Sequence, residues 1–328
     1  MKTGFDAEEL NLIKLAKEYS DERKARALLE SLRWPDGPEC PHCHAKEPYT
    51  LKTKGTSKQP ERTGIYKCRA CRKQFTVTVG TVFEASHIPI SKWLMAMFIV
   101  CSSKKAISAH QLHRMLGITY KSAWFMAHRI RYAMRPDGCE PMLKGTVECD
   151  ETFVGGKPRA INKGGGKSEP ASGQGYRFNT NKVPVVALVQ RDGSVRTKVV
   201  ASVNQENLRE FLRGKIARGT RVNTDQFGIY RNLFYGWTKH DVVNHSAREY
   251  YRVNRDGTEA HTNTVESFFS LIKRGVYGSW HHVSKEHLPK YVDEFAFRWN
   301  TRKLKDGQRM EQFAPMIAGK RLTYRKAV

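Results

Sequence analysis

The stretch that decides the fold is Gly145-Thr-Val-Glu-Cys-Asp-Glu-Thr-Phe-Val-Gly-Gly156. Apolar and polar residues alternate along it, and a Gly-Gly pair ends the run, which predicts a short β-strand with one apolar face. Because side chains on a strand alternate with a period of two, Glu148 and Asp150 share one face and Glu151 lies on the other. We therefore interpret Asp150 as the first member of a group of functional carboxylates.

Two further acids occupy comparable positions. Asp225 ends a second strand-like run, and Glu266 lies on a helix-like run. At about 100° per residue, Glu266 shares a stripe of that helix with Asn263 and Lys273, away from its apolar face. We hypothesise that these two acids meet Asp150 and hold divalent metal. Two Mg²⁺ ions about 4 Å apart can activate the nucleophile and stabilise the leaving oxygen in phosphodiester chemistry, and carboxylate oxygens are ligands that Mg²⁺ prefers.

Each of these residues also has a plain structural alternative. Asp225 is equally a turn or cap residue by its position, and Glu266 taken alone is a solvated helix residue. His261 is either a residue behind the metal ligands or a core histidine, and Glu148 and Asn263 are further candidates for that supporting role. We infer a shared site because Asp150, Asp225 and Glu266 lie on separate elements of one predicted fold.

The order of the predicted elements indicates that fold. Three strands, a helix, a strand, a helix, a strand and a helix follow one another across residues 145–305. This is the order of a ribonuclease H-like fold, an α/β domain whose mixed sheet is flanked by helices. Residues 157–182, a basic Gly-rich segment without apolar periodicity, are predicted to form a loop inside it. That loop is either a solvated linker or a flap that contacts phosphate.

A cysteine module precedes this domain. Four cysteines form two Cys-x-x-Cys pairs, Cys40 with Cys43 and Cys68 with Cys71. Four thiolates on two tight turns satisfy tetrahedral Zn²⁺ and leave no open position, so the pairs predict a structural zinc ribbon over residues 36–80. Two disulfides are the alternative, which a reducing compartment disfavours. His42 or His44 is a possible replacement for one cysteine ligand.

The flanking regions are predicted to be helical. Residues 1–35 form an N-terminal helical segment, and residues 85–135 contain a helix, a turn at Gly117 and a second helix capped by Thr119, which is a helix-turn-helix pattern. A plain helical hairpin is the alternative. The second helix is expected to present basic side chains to solvent or DNA, and its DNA-binding candidates are Lys121, Arg129 and Arg131. Residues 306–328 are expected to be a C-terminal tail.

Charge is the strongest feature of the composition. The 328 residues carry a formal net charge of +25. A polyanion is the expected partner, since each neutralised phosphate releases a counterion, whereas a merely solubilising surface needs far less charge. No basic amphipathic helix or lipidation motif favours an anionic membrane, and the longest apolar run is too short to span a bilayer. The N-terminus lacks the apolar core of a signal peptide, so a cytoplasmic location is expected.

Several motifs resemble one known family. They are Glu148-Cys-Asp150-Glu-Thr-Phe-Val-Gly-Gly156, Asn223-Thr-Asp225, His261-Thr-Asn-Thr-Val-Glu266 and Arg274-Gly-Val-Tyr-Gly-Ser-Trp-His281, extended by Arg33-Trp-Pro-Asp-Gly37 and Asp293-Glu-Phe-Ala-Phe-Arg-Trp-Asn300. The family is that of the zinc-ribbon DDE insertion-sequence transposases (the fifteen-ninety-five family), which are prokaryotic relatives of the Merlin transposons. The resemblance covers nearly the whole chain, and the basic loop after Gly156 fits it least well.

The resemblance implies an activity and a set of site residues. It implies Mg²⁺-dependent hydrolysis at element ends and strand transfer by the freed 3′-hydroxyl, with Asp150, Asp225 and Glu266 as catalytic acids and metal ligands, and Lys273 as the basic residue after the glutamate. Two Mg²⁺ ions are expected, with Mn²⁺ as a substitute. The expected partner is double-stranded DNA, both terminal inverted repeats and target, bound by a homo-oligomer.

Three functions fit these features. The first is a transposase whose ribbon and helix-turn-helix recognise terminal inverted repeats. The second is a DNA-binding regulator with an inactive ribonuclease H-like scaffold, against which the intact acid set argues. The third is a nuclease that cuts without strand transfer, which would use the same site.

Overall fold

A computed structural model describes residues 7, 9–51, 63–155 and 182–327 of the chain. The α-helices are α1 (Leu12–Glu18), α2 (Glu22–Arg33), α3 (Ile90–Ser102), α4 (Ala109–Leu116), α5 (Tyr120–Ala133), α6 (Gln205–Leu212), α7 (Asn263–Gly275), α8 (Leu288–Asn300), α9 (Asp306–Phe313) and α10 (Tyr324–Ala327). The strands are β1 (Tyr49–Thr50), β2 (Tyr66–Lys67), β3 (Gln74–Phe75), β4 (Thr146–Val154), β5 (Val183–Gln190), β6 (Val195–Val199), β7 (Arg221–Asp225), β8 (Lys239–Val243), β9 (Arg252–Val253) and β10 (Glu259–Ala260). The predicted loop 157–182 lies outside the described residues apart from residue 182.

The chain divides into two compact units. Met1–Arg135 and Thr301–Val328 form the first unit, and Pro136–Asn300 forms the second. The structure therefore groups the predicted N-terminal helical segment, zinc ribbon and helix-turn-helix region with the C-terminal residues. None of the helices among the described residues is long and apolar enough to cross a membrane.

A five-stranded sheet forms the centre of the second unit. Its strand order is β6-β5-β4-β7-β8. Strand β5 is antiparallel to both β4 and β6, while β7 is parallel to both β4 and β8. An antiparallel three-strand meander extended by two parallel strands, with α6 before β7, is the ribonuclease H-like topology. The helix predicted between β7 and β8 is only a 3₁₀ helix, Gly228–Tyr230. The α/β fold class predicted from the order of elements is confirmed.

The two faces of this sheet are covered differently. One face carries a buried apolar cluster that includes Val147, Cys149 and Val222 from the strands and Leu208 and Phe211 from α6. The other face is covered by α7, which packs on β4 and β5, and by α8, which packs on β6. Because alternate residues of β4 point to opposite faces, the same strand supplies apolar groups to the α6 side and carboxylates to the α7 side.

Helix α2 joins the zinc ribbon to the helical part of the first unit. The Arg26 guanidinium donates to the Thr63 carbonyl, and the Tyr66 hydroxyl donates to Glu30 over 3.0 Å. At its other end, the Glu22 carboxylate accepts the backbone N–H groups of Ile90 and Ser91, which open α3. The first backbone N–H groups of a helix have no partner within it, and the residue before α3 makes no side-chain cap hydrogen bond. The Glu22 carboxylate accepts two of these N–H groups and its charge favours the positive end of the helix.

The C-terminal residues are not an isolated tail. Helix α9 packs against α3, and α10 contacts α5. Met310 and Phe313 are fully buried, and Leu322 is 5% exposed. The segment predicted as a tail thus completes the core of the first unit, because α3 is apolar on nearly all sides and needs covering on more than one face.

Candidate active site

The aspartates of the candidate site lie on two adjacent parallel strands, Asp150 in the middle of β4 and Asp225 at the end of β7. The register pairs Glu148 of β4 with Asn223 of β7, so the residues two further along each strand, Asp150 and Asp225, lie level on the same face. One oxygen of Asp150 accepts the Glu151 N–H over 2.8 Å, and one oxygen of Asp225 accepts the Phe227 N–H over 2.9 Å. These bonds fix the direction of each carboxylate.

Helix α7 supplies the third acid. Its apolar stripe of Val265, Phe268, Phe269 and Ile272 is buried, each side chain being at most 3% exposed, as the angular pattern predicts. Glu266 is on the polar side with its side chain 52% exposed. Its Oε1 accepts the Thr262 hydroxyl over 3.1 Å, so the side chain is held at the start of the helix.

Asp150 is affected by its burial and by the charges of the neighbouring acids. The pKa of Asp150 is raised to about 8, first by burial and then by the negative charge of Glu151, while the Glu151 N–H opposes the rise. The charges of Asp225 and Glu266 raise it further. The structure therefore brings the three predicted carboxylates to one site, and their catalytic role stays a prediction.

The donor set fits a divalent cation. Burial and then repulsion from neighbouring carboxylates disfavour the ionised form of Asp150 and raise its pKa, and a bound cation would offset that cost. The three carboxylates are not drawn together as tightly as the cysteines, which are the group whose ligand atoms all lie within 4.8 Å among the described residues. Mg²⁺ keeps several water ligands and needs few carboxylates, so a looser arrangement suits it.

Two groups near the acids were not predicted. Glu151, on the opposite face of β4, accepts a hydrogen bond from the buried Tyr230 hydroxyl, and its pKa is raised by burial and by Asp225. His245 lies just beyond the end of β8, with Nε2 3.7 Å from Oε1 of Glu266 and 3.2 Å from the Thr262 hydroxyl. The available signal for His245 was its place at the carboxyl end of a strand parallel to the one that ends in Asp225.

The remaining predicted residues of this site have distinct places. Glu148 is fully buried and accepts hydrogen bonds from α7, so it lies on the Asp150 face as predicted. His261 contacts Glu148 rather than the three acids, with 3.2 Å between Nδ1 and Oε1. Asn263 is exposed at the first position of α7, and Lys273 is exposed in its last turn. Lys273 lies two turns beyond Glu266, about 10 Å along the helix axis.

The four cysteines form a cluster in which all Sγ atoms lie within 4.8 Å of one another. The Sγ atoms of Cys40 and Cys71 are 3.7 Å apart, and those of Cys43 and Cys68 are 3.5 Å apart. Four sulfurs at about 2.3 Å from Zn²⁺ would be about 3.8 Å apart, so the cluster fits zinc without rearrangement. His44 instead pairs with Glu39 over 2.7 Å. The cluster is a structural zinc site on a three-stranded antiparallel ribbon.

Comparison with known proteins identifies the family. Residues 142–300 match the family described as the ISXO2-like transposase domain, and residues 20–74 match the transposase zinc-ribbon domain. The chain is 31% identical over 292 residues to an uncharacterized protein in transposable element ISH50 of Halobacterium salinarum, a match that covers 86% of this chain and 92% of the relative. The chain belongs to the ISXO2-like transposase family. The resemblance seen in the sequence motifs is thereby confirmed.

Solved structures of Mos1 complexes show a more distant likeness to this transposase. The Mos1 strand transfer complex is 12% identical, with a TM-score of 0.28 over 67% of this chain and 73% of that chain. A pre-cleavage Mos1 transpososome is 14% identical, with a TM-score of 0.24 over 69% of this chain and 79% of that chain. The fold of the transposase is assigned from its strand order and its family, and not from this likeness.

The helix, turn and helix predicted around Gly117 of the transposase are present, and the assignment of a DNA-binding helix-turn-helix stays a prediction. The Ser108 side chain caps α4, Gly117 has a φ of 57° and ends it in the left-handed region, and the Thr119 side chain caps α5. Glycine adopts such a φ at no steric cost, which allows the sharp turn between the helices.

The prediction that the basic residues of α5 face solvent is wrong for two of the three candidates. Arg129 is 6% exposed and Arg131 is 2% exposed. Arg129 donates to the carbonyls of Glu84 and Leu322, and Arg131 donates to the carbonyl of Ile107. A guanidinium has five donors and can be buried when carbonyls accept them. The burying partner Leu322 is remote in sequence, so helical periodicity did not reveal it.

Lys121 remains exposed at the start of α5. Its Nζ lies 4.7 Å from the centre of the Tyr324 ring. Around it the surface includes exposed Arg114, Thr119 and Tyr120 from the turn and its flanks. We call these four residues, Arg114, Thr119, Tyr120 and Lys121, the turn surface.

Proposed function

We propose that this transposase binds the terminal inverted repeats of an insertion sequence and catalyses Mg²⁺-dependent strand cleavage and strand transfer. Asp150, Asp225 and Glu266 are the proposed catalytic acids. The observation that carries the proposal is the meeting of these acids at one edge of a ribonuclease H-like sheet, where burial and neighbouring charge raise the pKa of Asp150 to about 8. Carboxylates are rarely crowded at such a cost without a cation to neutralise them.

The side chains of the site have separable tasks in this proposal. When bound, two Mg²⁺ ions would supply an activated nucleophile and stabilisation of the leaving oxygen. Asp150 and Asp225 offer oxygens from two adjacent strands, and Glu266 offers one from the exposed side of α7. His245 lies close enough to Glu266 to hold its orientation through Thr262. Lys273 supplies a positive charge on the same stripe for a DNA phosphate.

DNA binding is proposed to involve both the charge and the turn surface. A net charge of +25 suits a polyanionic partner. In helix-turn-helix proteins the N-terminal residues of the second helix contact base edges, and these are the residues of α5 that remain exposed here. The zinc site holds the ribbon in shape, and a homo-oligomer that brings two element ends together is part of the proposal.

A DNA-binding regulator with an inactive scaffold is the less favoured function. Such a protein gains nothing from three converging acids whose repulsion destabilises the fold. A nuclease without strand transfer uses the same site chemistry, so product analysis separates it from a transposase.

The decisive experiment uses the full-length protein with DNA that carries the sequences flanking its gene and a target plasmid. Cleaved ends and joined products are expected with Mg²⁺ and not with a chelator. Asp150→Asn should lower cleavage by roughly 10³-fold, as loss of a key electrostatic group does, while DNA affinity stays within about twofold of wild type. Asp192→Asn, in the exposed turn after β5, is the matched control and should be fully active.

Each alternative has its own outcome in this experiment. Cleavage without joining would assign a nuclease. Binding with no cleavage by the wild-type protein would assign a regulator. Cleavage by Asp150→Asn at the wild-type rate would remove Asp150 from the catalytic group.

A further inference from the structure

Glu148 is a buried carboxylate surrounded by hydrogen-bond donors. It is 0% exposed. Its Oε1 accepts from Arg191 Nε and from the Thr264 hydroxyl, each over 2.9 Å, and lies 3.2 Å from Nδ1 of His261. Its Oε2 accepts the backbone N–H of Thr264 over 2.7 Å and that of Val265 over 3.0 Å.

These contacts leave Glu148 no capacity for a metal ion. A carboxylate offers about four lone-pair positions, and five polar neighbours already converge on this one. Asp150, two residues further along the same face, has one described hydrogen bond, from the Glu151 N–H. Glu148 and Asp150 share one face of β4, but the oxygens of Glu148 are occupied by hydrogen-bond donors and those of Asp150 are largely available to a cation.

The task of Glu148 is to cap α7 from the sheet. Thr264 and Val265 occupy the second and third positions of α7, where backbone N–H groups have no partner within the helix. The residue before the helix, Thr262, makes no side-chain cap hydrogen bond. The charge of Glu148 also interacts favourably with the positive end of the helix. A strand residue thus replaces the local cap and ties the helix to β4.

Two further side chains hold the segment that enters α7. Asn223 Nδ2 donates to the carbonyl of Glu259 over 3.2 Å and to that of His261 over 3.3 Å. Arg191 reaches the same two carbonyls from another direction, over 2.9 and 3.3 Å. Glu148, Arg191 and Asn223 together form what we call the clamp.

Two clamp residues, Glu148 and Asn223, precede the candidate catalytic aspartates by two residues on β4 and β7. Glu148 and Asn223 are direct partners across β4 and β7. Asp150 and Asp225 follow two residues later on each strand and point to the same side. Glu148 and Asn223 form hydrogen bonds to the segment that enters α7. Asp150 and Asp225 lie near Glu266, the acid on α7.

We infer that the clamp is the positioning device of this site, that it sets Glu266 against Asp150 and Asp225, and that Glu148 does not ligate metal. This inference rests on the proposed function. Glu148→Gln should open the clamp although it preserves size, because the amide nitrogen would face donors with no acceptor to receive its protons. The effect should reach the metal through Glu266, and not through loss of a ligand.

The test measures cleavage by the full-length protein as a function of Mg²⁺ concentration. Glu148→Gln should lower the rate by roughly 10- to 100-fold and raise the Mg²⁺ concentration for half-maximal rate, as loss of outer partners of metal ligands does. Thr264→Val removes one hydrogen bond from Glu148 and leaves its carboxylate intact, so it should shift the same two quantities by less. The double variant should be about as impaired as Glu148→Gln alone, since both changes break one contact. Thr197→Val on β6 is the control and should change neither quantity.

The outcomes distinguish the clamp from a ligand. Asn223→Ala removes two hydrogen bonds from the entry to α7 and no printed contact of Glu148, so in the clamp it should also raise the Mg²⁺ requirement. If Glu148 instead acts as a metal ligand and the clamp positions nothing, Asn223→Ala will leave the Mg²⁺ dependence unchanged, which would overturn the inference. Should Glu148→Gln fail to fold, Thr264→Val and Asn223→Ala carry the test.

A second measurement separates this inference from the proposed function. Calorimetric titration of the full-length protein with Mn²⁺ reports binding without turnover. Weaker binding to Thr264→Val at unchanged stoichiometry supports the clamp even if the wild-type protein cleaves no DNA, an outcome that would count against the proposed function only. Equal Mn²⁺ affinity for the wild-type protein and Thr264→Val would overturn the clamp.

Discussion

Helices α5 and α7 have similar sequence patterns and opposite surroundings. Each has an apolar stripe and a polar side with basic or acidic residues. In α7 the polar side stays open, with Glu266 half exposed and Lys273 exposed. In α5 the corresponding side is closed, since Arg129 and Arg131 are at most 6% exposed.

What covers each helix explains the difference. The polar side of α7 lies near Asp150 of β4 and Asp225 of β7, so the sheet supplies carboxylates there instead of an apolar surface. The polar side of α5 is covered within the first unit, where Arg129 donates to the carbonyls of Leu322 and Glu84 and Arg131 donates to the carbonyl of Ile107. Amphipathic spacing identifies the side that must be buried, and it does not determine whether the other side is left open.

The largest expected effect concerns the open side of α7. Glu266→Gln should lower Mg²⁺-dependent cleavage by roughly 10³-fold, because a proposed metal ligand loses its charge, while the free energy of unfolding changes little at an exposed position. Glu206→Gln on α6 is the matched control. Single-turnover cleavage and thermal unfolding measure the two effects, and a large loss of stability in Glu266→Gln would contradict the picture of an open face.

The next effect concerns the closed side of α5. Arg131→Met should lower the free energy of unfolding of the first unit by about 2 kcal/mol, because the Ile107 carbonyl loses a buried donor. Lys121→Met, the same substitution at an exposed position of the same helix, should cost less than about 0.5 kcal/mol. Chemical denaturation of both variants checks this, and equal costs would remove the distinction between the two positions.

A third prediction concerns how the stability of the metal-free protein depends on pH through Asp150. The pKa of Asp150 in the folded protein is about 8, above its ordinary value of 3.8. The folded state therefore holds the proton more tightly than the unfolded state, and stability falls as pH rises between these values. Asp150→Asn should raise the Tm of the chelator-treated protein at pH 8 and have little effect near pH 4.

Mg²⁺ provides the complementary measurement. Added Mg²⁺ should raise the Tm of the wild-type protein at pH 8, since a ligand that binds the folded state stabilises it. The same addition should have a smaller effect on Asp150→Asn. An Asp150→Asn variant less stable than wild type at pH 8 without metal would contradict a raised pKa of Asp150 in the folded protein.

The smallest expected effect concerns the turn surface. Lys121→Met should weaken DNA binding by about 1 kcal/mol or less and reduce the slope of log affinity against log salt by about 1, as loss of one phosphate contact does. Arg114→Met tests a neighbouring exposed cation in the same way. Unchanged affinity and salt dependence in both variants would place DNA recognition elsewhere on the protein.

Much of the architecture was predictable because it depends on local patterns. The alternation on β4, the Asn204 cap of α6 and the apolar stripe of α7 each follow from residues close together in the chain. The short hairpin of β9 and β10 was missed, because its two-residue strands have no alternation long enough to detect.

The candidate site was predictable in its acids and not in its support. Asp150, Asp225 and Glu266 stand at recognisable places on strands and a helix. The roles of Arg191 and Asn223 depend on contacts with carbonyls of residues 259 and 261, and no spacing rule links such residues. Glu148 was identified as a neighbour of Asp150, but its role as the cap of α7 is visible only when the helix lies on the strand.

The sequence by itself determined the periodic and short-range features of this protein: strand faces, helix stripes, the two cysteine pairs and the excess of positive charge. These depend on residues within a few positions of one another, where backbone geometry dictates direction. Only the tertiary structure decided which polar faces were covered, which carboxylate received four hydrogen-bond donors and which acids faced one another. Those outcomes depend on desolvation and hydrogen bonding between segments separated by many residues, which local geometry does not constrain.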